Sequence, residues 1–529
     1  MALLVCLYYV TESLPLVLLA VSGWGLLAFL KPSAGLAAVA FAIPFFWHPK
    51  AIGEPRFPIA ETLLLLVFAA VLARKLTSFL LPSLAEKLHI SPDEGLQRPK
   101  TEQSEYRVPS TKYRVPEGGN HAYSVLGTRY SVLTHYALRI THLLKEWNRQ
   151  DAFAPPAVAL LLVGTLSLLT LADPAFARDS ARAYRWTIVE PVLFYFLITD
   201  VISSRRGMWR IADFFMAAAV VASSVGLAQF ALGADVLDVQ GVSRISGVYN
   251  HPNNFALYLG RMLPFAICVG IFLPYGWRKV LYLMASVPMA LATILTYSRG
   301  AYVAVTLAIL VAVAVGLIWR PHRTEHGPSR WLRVGSSAAV VLVLVALITA
   351  ALLPRLPERI GHIGSVLIRA RIWDTGLRMV ADRPILGVGP DQFLNQYQSR
   401  YITQEQKDLH EDWLSHPHNI FLDFWLNLGI LGLLILLWHL WRYFREALGL
   451  AQSMALGGNG GRASRAIALG LLASMVDFLL HGLVDNSYFL MDLAMIFWLS
   501  CGLLQLERRN ALEHNQSSRF KVMASDLEL

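Results

Sequence analysis

Long apolar runs separated by short polar joints repeat along nearly the whole chain. They fall roughly at 3–30, 33–47, 58–81, 153–172, 186–202, 210–232, 253–273, 279–297, 300–319, 333–353, 418–441, 465–484 and 486–505. Most approach the roughly 20 residues a helix needs to cross about 30 Å of hydrocarbon. Pro15, Pro32 and Pro44 interrupt the first two runs, so the expected number of spans is about 12–14. Nothing shows the two-residue alternation of barrel strands. The pattern predicts an all-α polytopic membrane protein.

Orientation follows from the short basic joints. Arg205, Arg206 and Arg210, then Arg278 and Lys279, then Arg320, Arg323, Arg330 and Arg333, then Arg442 and Arg445, and finally Arg508 and Arg509 all fall on one side when the spans between them are counted. The positive-inside rule makes that side the cytoplasm. Residues 1–81 are then N-terminal transmembrane helices, 153–353 the central ones and 418–506 the C-terminal ones. The 82–152 segment, rich in Pro, Ser, Glu and Lys, reads as a disordered cytoplasmic insertion with an amphipathic stretch at Tyr130–Trp147. Residues 507–529 form a cytoplasmic tail. The 354–417 segment is extracytoplasmic and too long for a mere connector. Within it Ile368, Ile372, Trp373, Leu377 and Val380 recur at helical spacing, Asp382-Arg383-Pro384 ends that helix, and Gly387–Pro390 makes a turn. A lid or substrate-binding loop is the expectation.

Composition agrees: 55% hydrophobic residues, 16% charged and a mean hydropathy of +0.48 exclude a soluble chain. The net charge of +10 would suggest nucleic acid in a soluble protein, but here the basic residues flank spans, and the implied partner is the lipid bilayer. Cys6, Cys268 and Cys501 all lie in apolar runs, without metal spacing or a disulfide framework. The N-terminal run lacks a basic leader and is long, so it reads as an uncleaved span.

On the expected outer side, unusual polar residues gather. Ser243–Leu259 reads SRISGVYNHPNNFALYL, Thr296–Ala304 reads TYSRGAYVA, and His416–Leu434 reads HPHNIFLDFWLNLGILGLL. The long loop adds Arg369 and Arg371 among other arginines, and Asp485 and Asn486 fall at the last outer hairpin. Arg299 sits in an almost absent outer link, against the orientation trend. It reads either as a snorkelling arginine or as a guanidinium fork for phosphate oxygens. Arg244 has the same status. Asn253 and its neighbours cap the next helix. Arg261, two turns into a span, needs an acid such as Glu190, Asp213 or Asp485, or lines a cavity.

His416, Pro417, His418 and Asn419 are expected on the first turn of a helix, with Asp423 one turn below Asn419. For the two histidines three readings stand: metal ligation, for which no partner motif is evident; a structural interface role; and a general base, for which His418 is favoured over His416.

Four stretches, RISGVYNHPNNFALYL, YSRGAYVA, RARIWDTGLRMVADRPILGVGPDQF and HPHNIFLDFWLNLGILGLL, resemble the O-antigen ligase and polymerase superfamily of bacterial membrane glycosyltransferases in their order and spacing. The resemblance implies a GT-C-type helical fold in the bacterial cytoplasmic membrane, with the site facing outward. It implies an undecaprenyl-diphosphate-linked glycan donor, a glycan, lipid or protein hydroxyl acceptor, inversion at the transferred sugar, and neither metal nor cofactor. By the same resemblance Arg244 and Arg299 contact the donor diphosphate and His418 is the base. Arg369, with Arg371 as near competitor, is the loop arginine, and Asp423 has a supporting role. With these, Asn253, His416 and Asn419 from the outer-side inventory complete the expected substrate-binding set. Ligase and polymerase share these motifs. A flippase or transporter is the alternative from another class, and it would be expected to show an internal repeat, of which there is none.

Overall fold

The computed structural model describes residues 13–47, 50–51, 56–80, 150–234, 236–239, 242–274, 276–319, 364–411, 414–452 and 458–526. The expected 333–353 span, the Tyr130–Trp147 stretch, most of the 82–152 insertion and Cys6 lie outside these residues. The helices are α1 Leu14–Leu30, α2 Pro32–Ala42, α3 Ile59–Leu80, α4 Ala154–Leu169, α5 Ala177–Tyr184, α6 Glu190–Val201, α7 Arg205–Leu232, α8 Pro252–Phe272, α9 Trp277–Leu295 and α10 Arg299–Ile318. After the undescribed stretch come α11 Gly364–Asp382, α12 Phe393–Gln396, α13 Gln404–Asp408, α14 Ile420–Gln452, α15 Gly458–Gly482 and α16 Met491–Asp526. Two short antiparallel pairs complete the set, β1 Lys50–Ala51 with β2 Arg56–Phe57, and β3 Leu237–Val239 with β4 Val242–Arg244.

This is an all-α polytopic membrane protein. Among the described residues seven helices are long and apolar enough to cross a membrane, and three shorter apolar helices accompany them. The centre of the bundle is α8, whose apolar window is 89% buried, against 28% for α9. It packs along α15 and α9, and α15 in turn packs along α10. Exposed apolar side chains on α9, among them Val280, Met284 and Val287, face away from the protein, as a lipid-facing helix requires.

Inside the bundle Arg261 of α8 is buried and paired, but with none of the three acids expected for it. Its Nη1 donates to Asp477 of α15 at 3.1 Å, and its Nη2 to the Ser487 carbonyl at 2.9 Å and hydroxyl at 2.5 Å. Asp213 instead takes Arg278, and Glu190 lies beside Arg185. Burial of an unpaired guanidinium in hydrocarbon is so unfavourable that the acid beside it must be on a packed neighbour. Here that neighbour is more than 200 residues away in sequence.

The run that begins at Ile420 is not one continuous span. Gly429 has φ 70° and ψ −173°, which breaks α14. The Gly387 turn of the long loop fills the break: Val388 N donates to Leu426 O at 2.8 Å, and Ile430 N donates to Pro384 O at 2.9 Å. Trp425 Nε1 also reaches Pro384 O, and Asp391 N reaches Asn427 Oδ1. A β-carbon on Gly429 would stand 2.0 Å from Ile385 O, and one on Gly387 2.3 Å from Leu426 O. Only glycine allows both the left-handed backbone and this approach. The loop thereby supplies the partners that the interrupted helix lacks.

Candidate functional site

The last turn before α14 differs from the sequence expectation. The helix starts at Ile420, so Pro417 and His418 precede it. Asn419 caps it, its Oδ1 accepting from the N–H groups of Phe421 and Leu422 at 3.1 Å. Its Nδ2 is spent on the Leu483 carbonyl. A turn that ends in a cap leaves the preceding residue non-helical, and His418 takes φ +50°. Pro417 is tied to the loop helix through its carbonyl, which accepts from Trp373 Nε1 at 2.8 Å.

The turn carries the His418 ring to the hairpin between α15 and α16. His418 Nδ1 lies 3.1 Å from Asp485 Oδ1, and the His416 ring centroid lies 4.0 Å from that of His418. Asp485 is buried, 6% exposed. Burial works against its ionisation, but the His418 hydrogen bond and the neighbouring His418, His416 and His481 rings prevail and hold its carboxyl well below the usual range. An ionised carboxylate has no proton to give, so Nδ1 of His418 carries the hydrogen of this bond. For His416, burial comes first and the His418 charge second in pushing its pKa down to about 3, so this imidazole is neutral at pH 7.

Around this pair stand the arginines. Arg369 of α11 donates from Nε to the Val484 carbonyl at 2.9 Å, on the same hairpin as Asp485, and it feels the charges of both Asp485 and Arg299. Arg299 is the first residue of α10, after a Ser298 cap whose Oγ accepts from Ala301 N. Arg244 ends β4, is buried, and donates from Nε to Thr296 O and from Nη2 to Asn253 Oδ1, each at 2.6 Å. Asn253 therefore positions Arg244. His251, the cap of α8, joins the group: partial desolvation first, then the Arg244 charge, lower its pKa, and Asp485 and His418 also act on it.

Two expected site residues stand apart. Arg371 is ion-paired with Glu411 within the loop, and Nε donates to that carboxylate at 3.1 Å. Residues two positions apart on a helix do not face each other, so Arg369 and Arg371 point to different partners. Asp423 is buried one turn into α14, where it accepts from Asn427 Nδ2 at 2.9 Å, next to the helix break. Its side-chain partner, Asn427, does not belong to the His418 cluster.

The family model described as O-antigen ligase matches residues 284–437. Over that segment the chain is similar to the O-antigen ligase family. The ligase-family segment contains Arg299, Arg369, His416 and His418, and leaves Arg244, His251 and Asp485 outside it. No curated protein matches the chain at a significant level. Two members of the cluster escaped sequence reasoning as site residues. Asp485 was visible as an acid at an outer hairpin, and His251 as part of a capping run. Only the packing of α8, α15 and α14 brings them to the ligase-family histidines.

Proposed function

We propose that this chain transfers a glycan from an undecaprenyl-diphosphate carrier to an acceptor hydroxyl, at the outer face of the bacterial cytoplasmic membrane. The observation that carries the reading is the His418–Asp485 pair set among Arg244, Arg299 and Arg369. Asp485 fixes the tautomer, and Nε2 of His418 is left as the proton acceptor. The acceptor oxygen bonds to the sugar C1 from the side opposite the diphosphate. Its proton passes to Nε2, and the C1–O bond to phosphorus breaks. Inversion follows from the single displacement. The departing diphosphate gains charge as that bond breaks, and guanidinium groups fixed in advance favour that charge. The buried, doubly anchored Arg244 needs little rearrangement to act, which is the form such stabilisation takes.

The similarity of residues 284–437 to the O-antigen ligase family supports glycan transfer as the class of reaction. Purified protein in detergent or nanodiscs, given a lipid-diphosphate glycan and a candidate acceptor, tests the proposal. A single-step increase in acceptor size is the ligase result. A ladder of products would assign the chain to polymerisation with the same chemistry, and no transfer to any hydroxyl acceptor would contradict both.

A further inference from the structure

We propose that His416, His418 and Asp485 form a binding site for a soft divalent transition ion such as zinc, and that the ion switches glycosyl transfer off. One ligand atom from each of the three residues falls within 4.8 Å of the other two. Two imidazoles and a carboxylate are a common donor set for zinc. The His418 Nδ1 to Asp485 Oδ1 separation of 3.1 Å is close to one edge, about 3.3 Å, of a tetrahedron with zinc bonds of roughly 2.0–2.1 Å. His416 supplies the second observation. Its Nδ1 is buried and makes no hydrogen bond among the described residues, although the ring lies against that of His418. A buried nitrogen without a partner is destabilising, and a metal ion is a partner that would satisfy it.

The surroundings select among ions. Arg369 carries its charge near Asp485, and Arg244 carries its charge near the neighbouring His251, so a cation gains less here than at an acidic site. Magnesium and calcium, which depend on several charged or neutral oxygens, are disfavoured. Zinc binds imidazole nitrogen by donation of a lone pair, so two histidines retain it where a hard ion would be lost.

Inhibition follows from the tautomer, and this half of the proposal rests on His418 as the base. Without metal, Asp485 takes the Nδ1 hydrogen and Nε2 has the lone pair. When zinc takes Nδ1, the neutral ring keeps its one proton, now on Nε2. No proton is released and no electrons are exchanged, but Nε2 becomes a donor and can no longer accept from the incoming hydroxyl.

The test uses the purified full chain with its affinity tag removed. Cobalt(II) absorption and zinc calorimetry measure binding without any dependence on turnover. The expected result is one ion per chain, with affinity weakened about tenfold or more in His416→Ala and in Asp485→Asn. Magnesium in place of zinc is expected to give no heat. Absence of cobalt bands and zinc heat in the wild-type protein, or equal affinity in both variants, overturns the site. Transfer is then measured with and without zinc, and each variant is judged by the ratio of its own two rates. The wild-type rate is expected to fall at least tenfold at saturating zinc, and the His416→Ala ratio to stay near one. Binding with no loss of wild-type transfer overturns the inhibition and the base role of Nε2 together, while leaving glycan transfer itself intact.

Discussion

Nδ1 of His418 and Oδ1 of Asp485 lie 3.1 Å apart, although 67 residues of chain separate them. The contact joins the turn before α14 to the hairpin after α15, and it sets which nitrogen of the histidine is free. Asp485→Asn removes the carboxylate that fixes this tautomer. Its expected effect is a fall in kcat of about 10²-fold or more with little change in donor KM. Steady-state rates on purified protein check it. A raised KM at unchanged kcat would mean that Asp485 serves binding alone.

The acid response of the fold carries the signature of His416. Its pKa drops from 6.5 to about 3 on folding, so the unfolded chain takes up the proton first. The corresponding stability is fully present above pH 6.5 and is lost as pH falls toward 3. Between pH 7 and 5 the wild-type unfolding temperature should therefore fall faster than that of His416→Gln. Parallel curves for the two proteins would contradict a desolvated, neutral His416.

Arg369 and Arg371 should separate in kinetics. Arg369 is anchored to the Val484 carbonyl beside Asp485, whereas Arg371 holds Glu411 inside the loop. Arg369→Gln is expected to lower kcat/KM by about 10²-fold, in the range seen when one charge-stabilising donor is removed. Arg371→Gln should lower the unfolding temperature and have the smaller effect on rate. The reverse ranking would move the substrate-binding role to Arg371.

Arg299→Lys probes the fork. Lysine keeps the charge but loses the planar pair of donors, so transfer should fall about tenfold or more. A wild-type rate would show that charge alone suffices at that position.

Gly429→Ala tests the seat of the loop in the helix break. Alanine would have to hold φ 70° with its β-carbon 2.0 Å from Ile385 O. The left-handed backbone alone costs roughly 1–2 kcal/mol, and the clash adds to it. Folded protein in the membrane should drop sharply, and the surviving fraction should unfold at a lower temperature. Wild-type thermal behaviour would mean that the loop does not occupy the break.

Much of the fold is legible in sequence because apolar length and flanking charge act locally. The runs at 253–273, 279–297 and 300–319 meet helices Pro252–Phe272, Trp277–Leu295 and Arg299–Ile318 almost residue for residue. Asp382-Arg383-Pro384 ends α11, as its proline predicts. What sequence hides is long-range. Gly429 looks like any glycine in an apolar run until the Gly387 turn is seen to complete its helix. Arg261 pairs with Asp477, an acid inside another span, and not with a candidate nearer the surface. His418 lies two residues ahead of Ile420, outside the helix on whose first turn it was expected, because Asn419 takes the cap. In the site, His416, His418, Arg299 and Arg369 were visible through their motifs. Asp485 and His251 were visible only as an acid at an outer hairpin and as part of a capping run, since neither has a neighbour in sequence that betrays its partner.

The central claim is that His418 accepts the proton of the incoming hydroxyl. The most direct measurement is the initial rate of transfer from a lipid-diphosphate glycan by purified wild-type and His418→Gln protein, matched for membrane level and unfolding temperature. The account predicts product and released carrier diphosphate from the wild type, and a rate at least 10²-fold lower from the variant. Equal rates would contradict it.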